Sequence, residues 1–317
     1  MPRKKSNELF ADYYDEWIDV YKDGAVSDVT LKKYYITAKN LRLILPDTKI
    51  KDLDRRTYQH LINIYGKTHE RQTVIDFHHQ VKSCIKDMFY DGLIDKDPTY
   101  KAVIKGLQRG ETRKRKHKYL EVDELRKLLQ SLDLSYLNDD WFICITAKTG
   151  LRFAEALALT PNDFDWVNNT LTINKTWNYK TGKGGFKTTK TITSNRTIAI
   201  DWQIVGQFKP LIQDLPVDEP IFVPKDENGM YKKMYNSTFN AKLNKKCIKL
   251  KITPISLHGL RHTHASVLLA NGVSIQSISD RLGHSDVSIT QETYAHVLEE
   301  LRQKDNQKMM QTLMSIS

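Results

Sequence analysis

The sequence has little of what marks a secreted, membrane-spanning or disulfide-stapled protein. Three cysteines, Cys84, Cys144 and Cys247, stand far apart among 317 residues. They show no paired spacing, so they give no basis for a disulfide framework or a cysteine metal site, and they fit a reducing cytoplasm. No stretch approaches the roughly 20 apolar residues that a bilayer span requires. The N-terminus, Met1-Pro-Arg-Lys-Lys-Ser6, is basic, but no apolar run follows it, so it does not read as a secretory signal. A Gly-rich phosphate loop ending in Lys-Ser/Thr is missing, and no segment repeats.

What the chain has in excess is positive charge. Lys and Arg number 49 against 38 Asp and Glu, a formal net charge of +11, with a pI near 9.3. Such a balance favours polyanions, because each neutralised phosphate releases counterions. Charge alone does not decide for nucleic acid.

The first hundred residues read as helical. Asn7 is placed to cap a helix with apolar positions Leu9, Phe10, Tyr13, Trp17 and Tyr21, and Gly24 follows its end. A second helix is expected over about 28–44, with Leu31, Tyr34, Tyr35, Ala38 and Leu41 as its buried stripe and Pro46 as its stop. A third is expected over about 54–65, ended by Gly66, and a fourth over about 70–90, with Val74, Phe77, Val81, Ile85 and Phe89 inward. Four helices with short connections make a compact bundle. Residues 106–118 carry two glycines and six basic residues, Arg109, Arg113, Lys114, Arg115, Lys116 and Lys118, without apolar periodicity. They read as an interdomain linker suited to a DNA backbone, against the plainer reading of a solvated charged loop. From about 119 the chain reads as a larger mixed domain. Helices are expected over 122–132 and 139–149, strands over 171–177 and 196–200 with a Gly- and Lys-rich connection, and helices thereafter.

Three segments bring chemistry. In Thr149-Gly-Leu-Arg-Phe-Ala-Glu-Ala-Leu-Ala-Leu-Thr160, Gly150 ends one helix, Arg152 opens the next, and Glu155 shares its face and can hold the guanidinium. By itself this is an ordinary surface pair. In Ser256-Leu-His-Gly-Leu-Arg-His-Thr-His-Ala-Ser266, His258 and Arg261 share a helical face, and an imidazole beside a forked guanidinium suits a phosphate. A rival reading makes a metal site of His258, His262 and His264, but Arg261 would set a cation inside it and no cysteine or well-spaced carboxylate joins. Otherwise His262 and His264 read as helix-packing residues. In Arg281-Leu-Gly-His-Ser-Asp-Val-Ser-Ile-Thr-Gln-Glu-Thr-Tyr-Ala-His296, Gly283 breaks a helix, His284 sits in the turn, and Tyr294 follows a short helix later. Tyr294 is one of fifteen tyrosines and stands out only by its company.

The order Arg, His-x-x-Arg, Gly-His, Tyr resembles the tyrosine recombinases, the integrases of bacteriophages and conjugative transposons. The likeness covers about 119–295 and rests on Gly150-Leu151-Arg152 with Glu155, on His258-Gly259-Leu260-Arg261-His262, and on Leu282-Gly283-His284 with Thr290 and Tyr294. It implies a two-domain, mainly α architecture: a helical, four-helix SAM-like core-site DNA-binding domain at 1–105, a basic linker at 106–118, and a mixed α+β catalytic domain with a small antiparallel sheet at 119–317. It also implies roles. Arg152 and Arg261 would clamp the non-bridging oxygens of the scissile phosphate, and His258 and His284 would add hydrogen bonds and help move protons. Tyr294 would attack phosphorus, giving a 3′-phosphotyrosyl link and a free 5′-hydroxyl. The family's general-acid lysine lies on a β-hairpin, here 171–200. Its Lys-Thr-x-x-x-x-Arg pattern falls on Lys190-Thr191 through Arg196, with Lys187 the runner-up and Lys180 and Lys183 nearer the turn.

Two arginines, two histidines and a lysine supply the electrostatic stabilisation that phosphoryl transfer needs without a metal or cofactor, and the phosphotyrosine conserves bond energy so that no ATP is required. The implied partner is double-stranded DNA at core recombination sites. A homotetramer would form on paired sites from monomers, with accessory DNA-bending or directionality proteins possible and no membrane. Many such integrases carry an extra arm-site domain. The first helix is expected to start near Asn7, which leaves no room for one, in keeping with a recombinase of core sites only or a truncated form. The tail segments 297–301 and 309–314 read as helical with an apolar stripe, packing on their own core or on a neighbouring subunit. Within the chemistry, the leading reading is integration or excision of a mobile element, and the alternative is Xer-like resolution of chromosome or plasmid multimers. Outside it stand a type IB topoisomerase and a catalytically silent DNA-binding protein.

Overall fold

The computed structural model describes residues 7–107, 119–180, 184–189, 191–295, 297–298, 306, 309–311 and 313–315. The chain forms two compact units, Met1–Lys114 and Arg115–Ser317. Among the described residues no helix is long and apolar enough to cross a membrane.

The first unit is a bundle of α1 (Phe10–Tyr21), α2 (Asp28–Ile44), α3 (Arg55–Gly66) and α4 (Arg71–Tyr90). Its core is made of aromatic and branched side chains, including Phe10, Tyr14, Trp17, Leu41, Tyr58, Leu61, Val81 and Ile85. Asn7 does not cap α1. The N-cap position falls to Leu9, because the chain enters through a bridge between Leu9 and Lys49 and the Phe10 amide donates to Thr48 O at 2.8 Å. The stripe of α2 also differs from expectation at Tyr35. That ring lies about 100° round the helix from Tyr34 and is exposed, its hydroxyl donating to Asp19. Thr37 is buried instead, donating to Gln80 at 2.7 Å. Asp54 caps α3 by accepting from the Thr57 amide at 2.8 Å. Gly106 and Leu107 lie against the bundle: Leu107 bridges Glu70 in parallel, and a Cβ on Gly106 would come within 2.4 Å of Arg71 N. The basic residues expected to follow a DNA backbone, Arg109, Arg113, Lys114, Arg115, Lys116 and Lys118, lie outside the described residues.

The second unit opens with α5 (Val122–Gln130), α6 (Asp139–Thr149) and the single-turn α7 (Phe153–Leu157). The expected hairpin over 171–200 is divided between two antiparallel sheets. The strands β1 (Phe164–Asp165), β2 (Thr170–Ile173) and β5 (Arg196–Ala199) form one, in the order β1-β2-β5, while β3 (Lys175–Trp177) pairs with β4 (Phe186–Thr188) in the other. A π-helical turn over Ile204–Phe208 leads into α8 (Lys209–Ile212). Then come α9 (Asn236–Lys249), α10 (Leu257–Ala270), α11 (Ile275–Leu282) and α12 (Val287–Thr293). Each of the last three starts on an oxygen-bearing cap, Ser256, Ser274 and Asp286, which accepts from an amide of the first turn. The main core joins Trp141, Phe142, Phe208, Leu243 and Leu260. A smaller one joins Ala265, Leu269, Ile278, Leu282, Tyr294 and Val297. Farther along the tail, Met309, Met310, Leu313 and Met314 are exposed.

Candidate active site

Two helix C-termini, those of α6 and α11, organise the site. The last carbonyls of a helix have no intrahelical partner and carry the negative end of its dipole, so they attract cations. Gly150 and Gly283 end these helices in the left-handed conformation, at φ 69° and 68°, which glycine adopts without the steric cost of a Cβ. At Gly150 a Cβ would also stand 2.9 Å from both His264 Cδ2 and Leu282 Cδ2.

Guanidinium groups cap these terminal carbonyls. Arg261 donates to Gly150 O at 2.8 Å and to Leu282 O at 2.7 Å. Arg152 donates to Gly283 O at 3.1 Å, and Arg196 Nε donates to Arg281 O at 2.7 Å. Arg281 itself donates to Ala199 O and Lys148 O, and through Nε to His264 Nε2 at 2.9 Å. His264 therefore holds its proton on Nδ1, which donates to Ala147 O at 3.1 Å. One buried carboxylate offsets part of this charge. Glu155 accepts from Arg152 Nη1 at 2.7 Å and from the Arg152 amide at 2.9 Å. It also accepts from Arg196 Nη2 at 2.9 Å. Burial raises the Glu155 carboxyl, but Arg196 and Arg152 outweigh it and hold the group below its ordinary value. The Arg152–Glu155 pairing expected from their spacing is present, and the sequence reading missed the larger part of the network. Arg196, Arg281 and His264 carry no local signal, because their partners lie tens of residues away.

Arg261 is 2 % exposed. Burial, and then Arg152, push its guanidinium down to about 9 from 12.5. His284 follows Gly283 and bonds Thr290 Oγ1 through Nδ1 at 2.7 Å. Burial, with Arg261 and Arg152 next, takes its imidazole down to about 4, so it is neutral at neutral pH. Tyr294 caps the C-terminus of α12 and is 2 % exposed. Burial pushes its phenol up to about 12, and Arg261 acts in the opposite sense. The hydroxyl lies 3.1 Å from His262 Nδ1. His262 meets His258 edge to face at 4.6 Å between ring centroids. Both line an open cleft of about 820 Å³ whose other wall includes Ser237, Asn240 and Asn244 of α9.

The structure thus brings Arg152, Arg261, His258, His284 and Tyr294 into one region of the second unit, with Glu155 beneath. The rival metal reading fails on geometry: His262 Nδ1 faces Tyr294 while His264 faces Ala147 and Arg281. Lys190 lies outside the described residues. Its neighbours Thr189 and Thr191 bond Asn195 and Ser194, in the turn that delivers Arg196 to Glu155. Lys187 sits on β4 opposite Thr176.

Residues 118–300 match the phage integrase family. The chain belongs to that family, the tyrosine recombinases. Among its relatives, the integrase of Staphylococcus phage L54a is 26% identical over 343 residues, covering 96% of this chain and 95% of that one. The tyrosine recombinase XerD of Staphylococcus haemolyticus (strain JCSC1435) is 26% identical over 313 residues, covering 95% and 98%. Among solved structures, a fragment of the Tn1549 transposon integrase in complex with a circular intermediate DNA superposes with a TM-score of 0.74 at 18% identity, over 94% of this chain and 98% of that one. Both units therefore share the recombinase fold, a helical N-terminal domain followed by a mixed catalytic domain. All six residues to which the resemblance gives catalytic roles, Arg152, Lys190, His258, Arg261, His284 and Tyr294, fall within the family's matched span.

Proposed function

We propose that this integrase-family protein cleaves and rejoins double-stranded DNA at specific core sites, with Tyr294 as nucleophile, and so integrates or excises a mobile element. The observation that carries the reading is the meeting of Arg261, Arg152 and His284 at the C-terminus of α11, beside a tyrosine that belongs to the same small core. Three guanidiniums, Arg152, Arg196 and Arg261, face one carboxylate, Glu155, and the surplus positive charge is what a phosphodiester would neutralise.

In the mechanism, Arg152 and Arg261 hold the non-bridging oxygens and His258 and His284 donate to the same phosphate. Tyr294 Oη forms a bond to phosphorus as the bond to the 5′-oxygen breaks, and that oxygen takes a proton from Lys190. The 5′-hydroxyl of a partner strand then reverses the step. Arg109, Arg113, Lys114, Arg115, Lys116 and Lys118 supply positive charge for contacts to the DNA backbone. Four subunits act on two sites, a stoichiometry that the exposed apolar residues Met309, Met310, Leu313 and Met314 would serve by packing on a neighbour. Support for DNA as partner comes from the Tn1549 integrase, whose structure holds a circular intermediate DNA. Support for integration comes from the phage L54a relative, similar over nearly its whole length.

The test uses a pool of nicked duplexes with randomised cores. Wild-type protein is expected to enrich duplexes that form detergent-stable adducts, and Tyr294→Phe to form none. Failure to enrich any adduct, or an adduct with the Phe variant, would overturn the assignment. Relaxation of any supercoiled plasmid without sequence preference would point instead to a topoisomerase.

A further inference from the structure

We infer that His262 is the general base of the cleavage step, taking the phenolic proton from Tyr294. The inference rests on the nucleophile assignment above and adds a residue that this assignment leaves without a task. His262 Nδ1 stands 3.1 Å from the Tyr294 hydroxyl, inside the range a proton transfer requires. The imidazole also lines the open cleft, so a proton it receives has a route toward solvent.

A buried phenol needs such a partner. With its ionisation pushed up to about 12, the Tyr294 phenol is almost wholly protonated near neutral pH. Arg261, which favours the phenolate, is committed to Gly150 O and Leu282 O and has no lone pair to accept a proton. His284 Nδ1 is engaged with Thr290 Oγ1 at 2.7 Å. His258 meets the ring of His262. The groups around His262 are therefore His258 on its own helix, Tyr294 beyond α12, His284 within electrostatic reach, and the uncharged Ser237, Asn240 and Asn244 across the cleft.

The step balances. With its own proton on Nε2, His262 offers the Nδ1 lone pair. As Tyr294 Oη bonds to phosphorus, its proton passes to Nδ1 and leaves an imidazolium. The electron pair of the breaking P–O bond goes to the 5′-oxygen, which is protonated by the separate acid. On religation the imidazolium returns its proton to the departing phenolate, so one residue serves both directions.

The experiment takes a duplex enriched by wild-type adduct formation and follows the adduct rate from pH 6 to 10 for wild type, His262→Gln and His262→Ala. Gln keeps a hydrogen-bonding group near the phenol but cannot act as a base. Wild type should rise with pH and level off. Both variants should be slower by about 10²–10⁴-fold at pH 7 and recover about tenfold per pH unit as hydroxide replaces the base, with non-covalent retention of the duplex unchanged. A His262→Gln rate within threefold of wild type, or a deficit constant at every pH, would overturn the inference and leave His262 a positioning residue. Loss of the adduct in wild type, or its survival in Tyr294→Phe, would instead sink the nucleophile assignment itself. A measurement that needs no variant is nitrogen-15 NMR of the histidine rings in the free protein. The inference requires an unprotonated Nδ1 on His262 at pH 8, and a protonated Nδ1 there would refute it.

Discussion

Substituting Glu155 by Gln should cost this protein about 3–5 kcal/mol, the range for breaking a buried ion pair by removing one partner. The carboxylate is 2 % exposed and the Arg196 side chain beside it 6 %, so neither can turn to water when the pair is broken. Arg152, with a side chain 38 % exposed, can rehydrate, and its share of the loss is about 0–1 kcal/mol. Arg196 therefore sets the magnitude. For a unit near 200 residues, each kcal/mol shifts the thermal midpoint by about 2–4 °C, which gives a drop of about 6–20 °C by calorimetry. The pH dependence identifies the group. The Glu155 carboxyl is held below its ordinary value of 4.5, so its contribution is complete above that value and is lost as pH falls through the lower, folded value. The gap between wild type and variant should stay constant from pH 8 to about 5 and close below about 4.5. Sulfate should raise the variant's midpoint more than the wild type's, since an anion can replace the missing charge. A midpoint within 1 °C of wild type, or a gap indifferent to pH, would refute the assigned role.

Other consequences are measurable. Lys190→Ala should slow adduct formation far more than Lys187→Ala, and the reverse ranking would move the general acid to β4. His78, His264 and His284 are depressed to about 4, 3 and 4, each by burial first. Protons then bind the unfolded chain preferentially between pH 6.5 and about 4, and thermal stability should fall through that window as pH drops; a flat profile would contradict these burials. Gly150→Ala should destabilise through its positive φ and the contact with His264 and Leu282, and an unchanged midpoint would show that α6 ends otherwise. Tyr14→Phe should leave stability equal or higher, because the Tyr14 hydroxyl is buried without a hydrogen-bond partner; a loss above 1 kcal/mol, read from denaturant unfolding, would show that this hydroxyl is bonded after all.

Much of the fold was legible wherever the determinant is local. Asp54 announces α3, Pro46 follows the end of α2, and Gly150 and Gly283 mark the helix ends that the site requires, because caps and breakers act over three or four residues. The Leu9–Lys49 bridge was not legible, since its partner is forty residues away and it displaced Asn7 from the cap. The break between the two sheets near Asn174 was hidden for a similar reason: burial at Leu171, Ile173 and Trp177 keeps a two-residue period across it. In the site, residue types at family spacings pointed to Arg152, His258, Arg261, His284 and Tyr294. His262 was set aside as packing although it lies one helical turn from His258, and its reach to Tyr294 depends on how α12 returns to α10.

That return links stability to chemistry. Tyr294 is part of the apolar cluster of Leu269, Ile278, Leu282 and Val297, while the carbonyls of Leu282 and Gly283 hold Arg261 and Arg152. The α11–α12 turn thus fixes Tyr294 and the guanidiniums of Arg152 and Arg261, the proposed nucleophile and phosphate clamp, through the same few residues. Burial, and then Arg152, oppose charge on the Arg261 guanidinium and push it down to about 9. A phosphate held there would relieve that opposition, and more so as negative charge grows on the non-bridging oxygens in the transition state. Under the proposed chemistry, part of the folding energy supplied by the apolar cluster would be held as positive charge that Glu155 offsets only in part, available to a ligand with the charge and shape of a reacting phosphodiester.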